Sequence, residues 1–330
     1  MSFLKRDLLN HLKALRSVLL TRGAEAFLDP CTLVLRVRVG TVTHALYPQF
    51  LAFKDGTRQY STRFEDGSKK FTGWCPYAHQ RWPLASEKLL FKRFAVHNDI
   101  STPEYSADPL AVMDDVVVKK SASSFSADIK GPFKSSSEHK LDAQAGEYFE
   151  RFVRGRIAKI WYCNDRPVCL EFEKMPTVKG NGVSTVRELV KRKLFRRGRK
   201  RRVEPLGLFL EYQGITLDTV LEKNQEQVVE FRYGSPLLTP DLGSDVDLIG
   251  NMIPSLEPQL RDIGHKLWRA LADEVRPDTI FTVDAIVDEQ ERIWTLEMNS
   301  NPFIHPFVYP VMMEHLFAKK TRAAEVAPAA

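Results

Sequence analysis

The apolar positions of this chain change period several times. Residues 260–271 place Leu260, Ile263, Leu267 and Leu271 on one face, the spacing of an amphipathic helix within LEPQLRDIGHKLWRALADEV. The opening MSFLKRDLLNHLKALRSVLL has helical spacing too and predicts a first helix packed on the body. Strand-like alternation follows in TLVLRVRVGTVTHALY, then a turn-rich middle from Phe53 to Trp74. SEKLLFKRFAVHNDI returns to helix, with Ser86 as the expected N-cap and Thr102-Pro103 as a stop. A short strand DVVVKK (115–120), a small-residue loop SASSFSADIKG, the segment GEYFERFV and the pair RIAKIWYCNDRPVCLEFEKM come next, with a turn at 164–167. Helices and strands thus alternate in short units, which predicts an α+β or α/β class.

The run IFTVDAIVDEQERIWTLEMN predicts a hairpin, and its acids are out of place in it. With the turn centred between Gln290 and Glu291, Asp284 faces Glu297 across the pair. Period-two alternation sets Glu297 and Asn299 on the same face. Opposed carboxylates repel. A divalent cation turns that repulsion into a site, and Mg²⁺ takes one or two carboxylate oxygens together with phosphate and water. Two half-exposed acids at a sheet edge are the plain alternative.

Composition narrows the class further. The chain has 330 residues, 43% apolar and 27% charged, ordinary for a soluble globular protein. No apolar run reaches the about 18 residues of a membrane span. Lys13 and Arg16 interrupt the first apolar stretch, so no secretory signal is expected. Cys31, Cys75, Cys163 and Cys169 lack C-x-x-C spacing and read as plain thiols in the cytoplasm. The net charge of +6 is local: residues 187–202 (RELVKRKLFRRGRKRR) hold ten basic residues and one acid. That block reads as a solvated loop or as a guide for a peptide or an acidic substrate; with Phe195 its single aromatic residue, nucleic acid is not the expected partner.

The order of these features resembles the ATP-grasp superfamily. EMNSNP is similar to its metal-binding E-x-N-x-x-P signature, and EKMPTVKGNGVSTVRELV, one residue shorter between Pro176 and Val178, resembles a segment of the ATP-grasp domains of cyanophycin synthetases and bifunctional glutathione synthetases. The resemblance spans about residues 84–312. It implies an ATP-grasp fold with nucleotide between two lobes: a divergent N-terminal domain (1–85), a small lobe (86–155), a large lobe carrying the metal (156–318) and a flexible tail (319–330). It implies ATP with Mg²⁺, or Mn²⁺ in its place, activation of a carboxylate as an acylphosphate, and attack by an amine with release of ADP and phosphate. By the same resemblance Asp284, Glu297 and Asn299 match the metal ligands. Lys119 and Lys88, with Lys92 as competitor of the latter, match the phosphate lysines, and Ser123 and Ser124 the loop over the phosphates. Glu150, Arg151 and Val153 match the hinge at adenine, and Arg232 an arginine near the reacting carboxylate. Such lysines and cations neutralise charge on the β and γ oxygens, which is most of what phosphoryl transfer needs.

Departures accompany the match. The loop after Lys120 has no glycine, Arg156 and Ile157 follow Gly155 where relatives have an acid, and Lys159 and Lys174 stand where relatives carry arginine. The domains that complete the two named enzymes are missing from this sequence, so neither activity is expected. The reading is a ligase for small-molecule acids and amines (amino acids, peptides or related metabolites), with a homodimer as the suggested assembly. Its rivals are an enzyme modifying a protein or peptide terminus, and a non-catalytic module binding nucleotide or an anionic polymer.

Overall fold

A computed structural model describes residues 2–54, 57–122, 129–195, 202–232, 237, 246–248 and 254–325. Helix α1 (Ser2–Thr21) lies against five strands, β1 (Glu25–Leu28), β2 (Leu35–Val39), β3 (Val42–Lys54), β4 (Thr57–Ser61) and β5 (Ser68–Cys75). They form an antiparallel sheet in which the long β3 pairs with β2, β4 and β5. The turn-rich middle therefore contains two strands, β4 and β5, with Asp66 and Gly67 immediately before the second.

Two short helices follow, α2 (Pro83–Ser86) and α3 (Lys88–His97). Ser86 is not the N-cap expected of it. Glu87 takes that place, and the Ser86 hydroxyl donates to the Trp82 carbonyl inside α2 at 2.9 Å. Strands β6 (Tyr105–Ser106), β7 (Asp114–Lys120), β8 (Lys130–Ser135) and β9 (Glu147–Arg151) make a four-stranded sheet in the order β6-β9-β7-β8. One face packs Val116, Val118, Phe133 and Phe149 into a small core. The other carries Val117, Lys119, Tyr148 and Glu150, because Val117 pairs with Glu150 and Lys119 with Tyr148.

The remaining chain holds β10 (Arg156–Cys163), β11 (Arg166–Glu173), β12 (Thr177–Lys179), α4 (Val186–Phe195), α5 (Gly207–Tyr212), β13 (Glu226–Val228), β14 (Val246–Leu248), α6 (Glu257–Arg269), β15 (Ile280–Val287), β16 (Ile293–Asn299) and α7 (Val308–Glu325). The second large sheet runs β14-β11-β10-β15-β16. Between β11 and β14, the pair β12–β13 and helices α4 and α5 enclose a core of their own around Val186, Val190, Leu206 and Leu210. The expected amphipathic helix is α6, with Leu260, Ile263 and Leu267 buried, and Leu271 buried just past its end. Helix α7 continues to Glu325, into the segment expected as a tail.

The two faces of this second sheet have different fates. One is covered by α3 and α6 through Ile160, Tyr162, Phe281 and Val283. On the other face, Trp161, Cys163 and Ile280 join Leu15, Leu35, Phe71 and Met312 in a core shared with the N-terminal strands and α7. Further along that face, past Trp161, apolar cover stops and charged side chains begin. The cysteines are free thiols, and no described helix is long and apolar enough to cross a membrane. The architecture is α+β.

Candidate active site

The charged part of the sheet face is a row set by register. Glu171 of β11 pairs with Lys159 of β10, Lys159 with Asp284 of β15, and Asp284 with Glu297 of β16. The hairpin reaches this pairing by a route the sequence did not reveal. Beside the turn, Val287 faces Ile293, one residue tighter than a turn centred between Gln290 and Glu291 would give. Leu296 is then left unpaired as a bulge, and from there Asp284 faces Glu297 and Thr282 faces Asn299, as expected. Had the ladder run on from the turn without a bulge, Leu296 would face Asp284, and Glu297 and Asn299 would point to the other face. The Asn299 amide donates to Asp284 Oδ2 at 3.3 Å, so the three expected ligands are together.

Two carboxylates about 5 Å apart repel by about 3 kcal/mol at an effective dielectric near 20. Burial and then the Asp284 charge push the Glu297 carboxyl up, while Lys88 opposes both. The chain offsets the repulsion with its own cations: Lys88 Nζ lies 3.1 Å from Glu297 Oε2, and Lys159 pairs with Asp284 Oδ1. Among the described residues no group of three or more His, Cys, Asp or Glu side chains forms a metal cluster. The trio offers two carboxylates and one amide, hard oxygen donors that suit Mg²⁺ when phosphate and water complete its shell. These residues fit such an ion.

The lysines divide the remaining work by depth. Lys88 and Lys92 sit one turn apart on α3. Lys92 is fully buried, 2.7 Å from Glu150 Oε2, and donates to Thr102 Oγ1 at 2.7 Å. Burial pulls its pKa down to about 8, against the attraction of Glu150. Lys119 Nζ reaches Glu150 Oε1 at 2.5 Å. Glu150, 2% exposed, is thus clamped between two ammonium groups; they outweigh its burial and hold its carboxyl below the usual range.

Between the two sheets lies a slot of about 90 Å³. Lys88, Lys119, Glu150, Asp284, Glu297 and Arg232 line it as polar groups. Val117, Val153, Ile157, Phe231 and Ile286 supply apolar wall, and Arg151 also borders it. Asn299 borders a neighbouring cavity that meets the slot at Lys88 and Glu297. Lys88 therefore faces the slot, while Lys92 stands behind its wall. Arg232 is gripped by the buried Glu230, with Nε 2.8 Å from Oε1 and Nη2 2.9 Å from Oε2. Gly155 has no room for a side chain: a Cβ there would lie 2.4 Å from the Val287 carbonyl oxygen, so the chain can turn from the hinge into β10 flush against β15.

Ser123 and Ser124 lie outside the described residues, as do residues 196–201 of the basic block. Within the block, Arg187 is paired with Asp218 at 3.1 Å and Glu204 at 3.2 Å. Two features escaped the sequence reading. Lys159, marked in the sequence only as standing where relatives carry arginine, is the counter-ion of Asp284, a partnership that depends on a pairing 125 residues away. The other is the wall that Gln59, Tyr60, His79 and Arg81 give to the neighbouring cavity, which no motif marks.

No family model matches the chain, and no curated protein matches it. Among solved structures, a bifunctional glutathione synthetase from Pasteurella multocida aligns over 94% of this chain and 43% of its own, at 16% identity and a TM-score of 0.43. The chain thus spans less than half the length of that protein. A D-alanine–D-alanine ligase from Bacillus anthracis aligns over 73% of this chain and 69% of its own (11% identity, TM-score 0.38). The ATP-grasp ligase PsnB, complexed with a minimal precursor, aligns over 71% and 60% (10% identity, TM-score 0.31).

Proposed function

We propose that this chain is an ATP- and Mg²⁺-dependent carboxylate–amine ligase of the ATP-grasp kind, working in the cytoplasm on a small acid and an amine. The observation that carries the reading is the cross-strand pair Asp284–Glu297 with Asn299 beside it, set against Lys88 and Lys119 at a slot with apolar walls. Bound ATP would supply the phosphoryl group, and Mg²⁺ the charge neutralisation that its transfer needs. Asp284, Glu297 and Asn299 would hold the ion. Lys88 and Lys119 act as point charges toward phosphate oxygens. Arg151 and Val153 border the adenine end with Ile157 and Phe231. Glu150 acts there through Lys119, by fixing its ammonium. Arg232, oriented by Glu230, faces the reacting carboxylate and stabilises the oxyanion as the amine attacks.

The test is ADP release from Mg·ATP with a panel of amino acids and dipeptides. Release is expected with at least one acid and is expected to fall at least ~100-fold in Glu297→Ala, the scale of losing an electrostatic stabiliser. Equal release from the variant and the parent chain would sink the reading.

A further inference from the structure

The cavity beside the slot measures about 370 Å³ and meets it at Lys88 and Glu297. Its floor is the segment that leaves β16, Asn299, Ser300 and Asn301, while its far wall comes from the N-terminal residues Gln59, Tyr60, His79 and Arg81. Floor and wall are bolted together at Gln80. The Asn301 amide donates to the Gln80 carbonyl at 2.5 Å and accepts the Gln80 N–H at 3.2 Å, and the Ser300 hydroxyl donates to the same carbonyl at 3.0 Å. Trp82 Nε1 donates to the Gln80 side chain at 3.2 Å. Ser300 and Asn301 are buried, at 9% and 7% exposure, so this is a built joint.

With Gln80 fixed, its two neighbours are the residues that face the cavity. Arg81 is exposed, and the described residues give it no acidic partner. Burial, and then the Arg81 charge, hold the His79 imidazole below its ordinary value, so it offers hydrogen bonds without a second positive charge. The acids lining the cavity, Glu87 and Glu297, lie on the α3 and hairpin side, and Glu297 is paired with Lys88. The far wall is therefore the cationic end of a space whose near end opens on the metal-binding trio.

We propose that this cavity holds the acid substrate and that Arg81, with His79 beside it, grips a second anionic group on it, so that the enzyme selects dicarboxylic over monocarboxylic acids. The inference rests on the ligase reading and names its substrate class. The near carboxylate oxygen takes the γ-phosphoryl group of ATP, ADP leaves, and the far carboxylate stays on Arg81. Arg81 touches no reacting atom and acts as a specificity determinant.

Hydroxylamine tests this without knowledge of the natural amine. It attacks the acylphosphate carbonyl, phosphate leaves with the C–O bond, and a hydroxamate remains. With Mg·ATP and hydroxylamine, L-glutamate and glutarate are expected to give hydroxamate, and L-glutamine and butyrate to give little. Arg81→Ala is expected to raise the KM of the dicarboxylates roughly 30-fold, the scale of one charged hydrogen bond, with Arg81→Lys in between and the KM for ATP within about twofold of the parent. Hydroxamate from the monocarboxylates alone, or an acid preference untouched by Arg81→Ala, would overturn the proposal and leave the ligase reading standing. Calorimetric titration of glutarate into the full chain with Mg·ADP separates the other case. Arg81-dependent binding without hydroxamate from any acid would keep the anion site and defeat the ligase reading; no glutarate binding would defeat the site.

Discussion

Glu150 shows how a single buried carboxylate can hold two cations in place. One carboxylate between two ammonium groups leaves one excess positive charge in the wall of the slot, and burial disfavours it. The depressed pKa of Lys92, about 8, identifies which ammonium carries that strain. Removing either kind of partner should therefore have unequal effects. Glu150→Gln leaves two like charges without a counter-ion and is expected to cost about 3 kcal/mol or more, whereas Lys92→Met leaves a balanced Glu150–Lys119 pair and is expected to cost about 1 kcal/mol or less. Urea denaturation of the two variants measures the difference; equal losses would contradict the charge count. These roles were only half legible in the sequence. Motif order pointed to Lys119 and Glu150 separately, but their contact requires β7 beside β9, and the division of labour between Lys88 and Lys92 depends on depth, which helical spacing does not reveal.

At the scale of the element, the hairpin is the instructive case. Alternation in residues 280–299 was enough to read two strands, the acids and a shared face. The register at the turn was read one residue too long, and the unpaired Leu296 restored it at the site. A bulge has no apolar signature of its own: Leu296 and Glu297 are both partly exposed, and only the broken burial alternation marks the place. Deleting Leu296 closes the bulge: Thr295 stays opposite Ala285 and Glu297 opposite Asp284, now in a regular ladder, so Glu297 and Asn299 keep their face. The expected outcome is a strand-containing protein that retains Mg²⁺-dependent ADP release, checked by far-ultraviolet circular dichroism together with the ADP assay. Loss of release in a folded variant would mean that the bulge itself, and not the Asp284–Glu297 pairing alone, shapes the site.

Over the whole molecule, the N-terminal strands were read only as strand-like pieces, because no motif joins them to the rest. The joint is a packed core. His11 of α1 hydrogen-bonds the Tyr309 hydroxyl of α7 at 2.8 Å and sets its ring edge-on to Phe71 of β5. Burial, then the charges of Lys70 and His305, lower its pKa to about 4. An unfolded chain protonates this imidazole near 6.5, while the folded one resists to about 4. Its stabilising contribution is therefore complete above pH 6.5 and is lost as pH falls from 6.5 to 4, by about 2–3 kcal/mol. Urea midpoints for the parent chain and His11→Gln at pH 7, 5.5 and 4.5 test it: the variant is expected to lose this part of the acid slope, and an identical slope would contradict the assignment.

The sheet face that carries Lys159 and Asp284 runs on, two residues later, through Trp161 and Thr282 toward the core shared with the first strands of the chain. That continuity leaves no seam for recombination. A descendant that exchanged its first 85 residues for a foreign module would strip the cover from part of this sheet face. Point substitution along the rim, at positions such as 79 and 81, changes the side chains there while the Gln80 backbone between them stays bonded to Ser300 and Asn301.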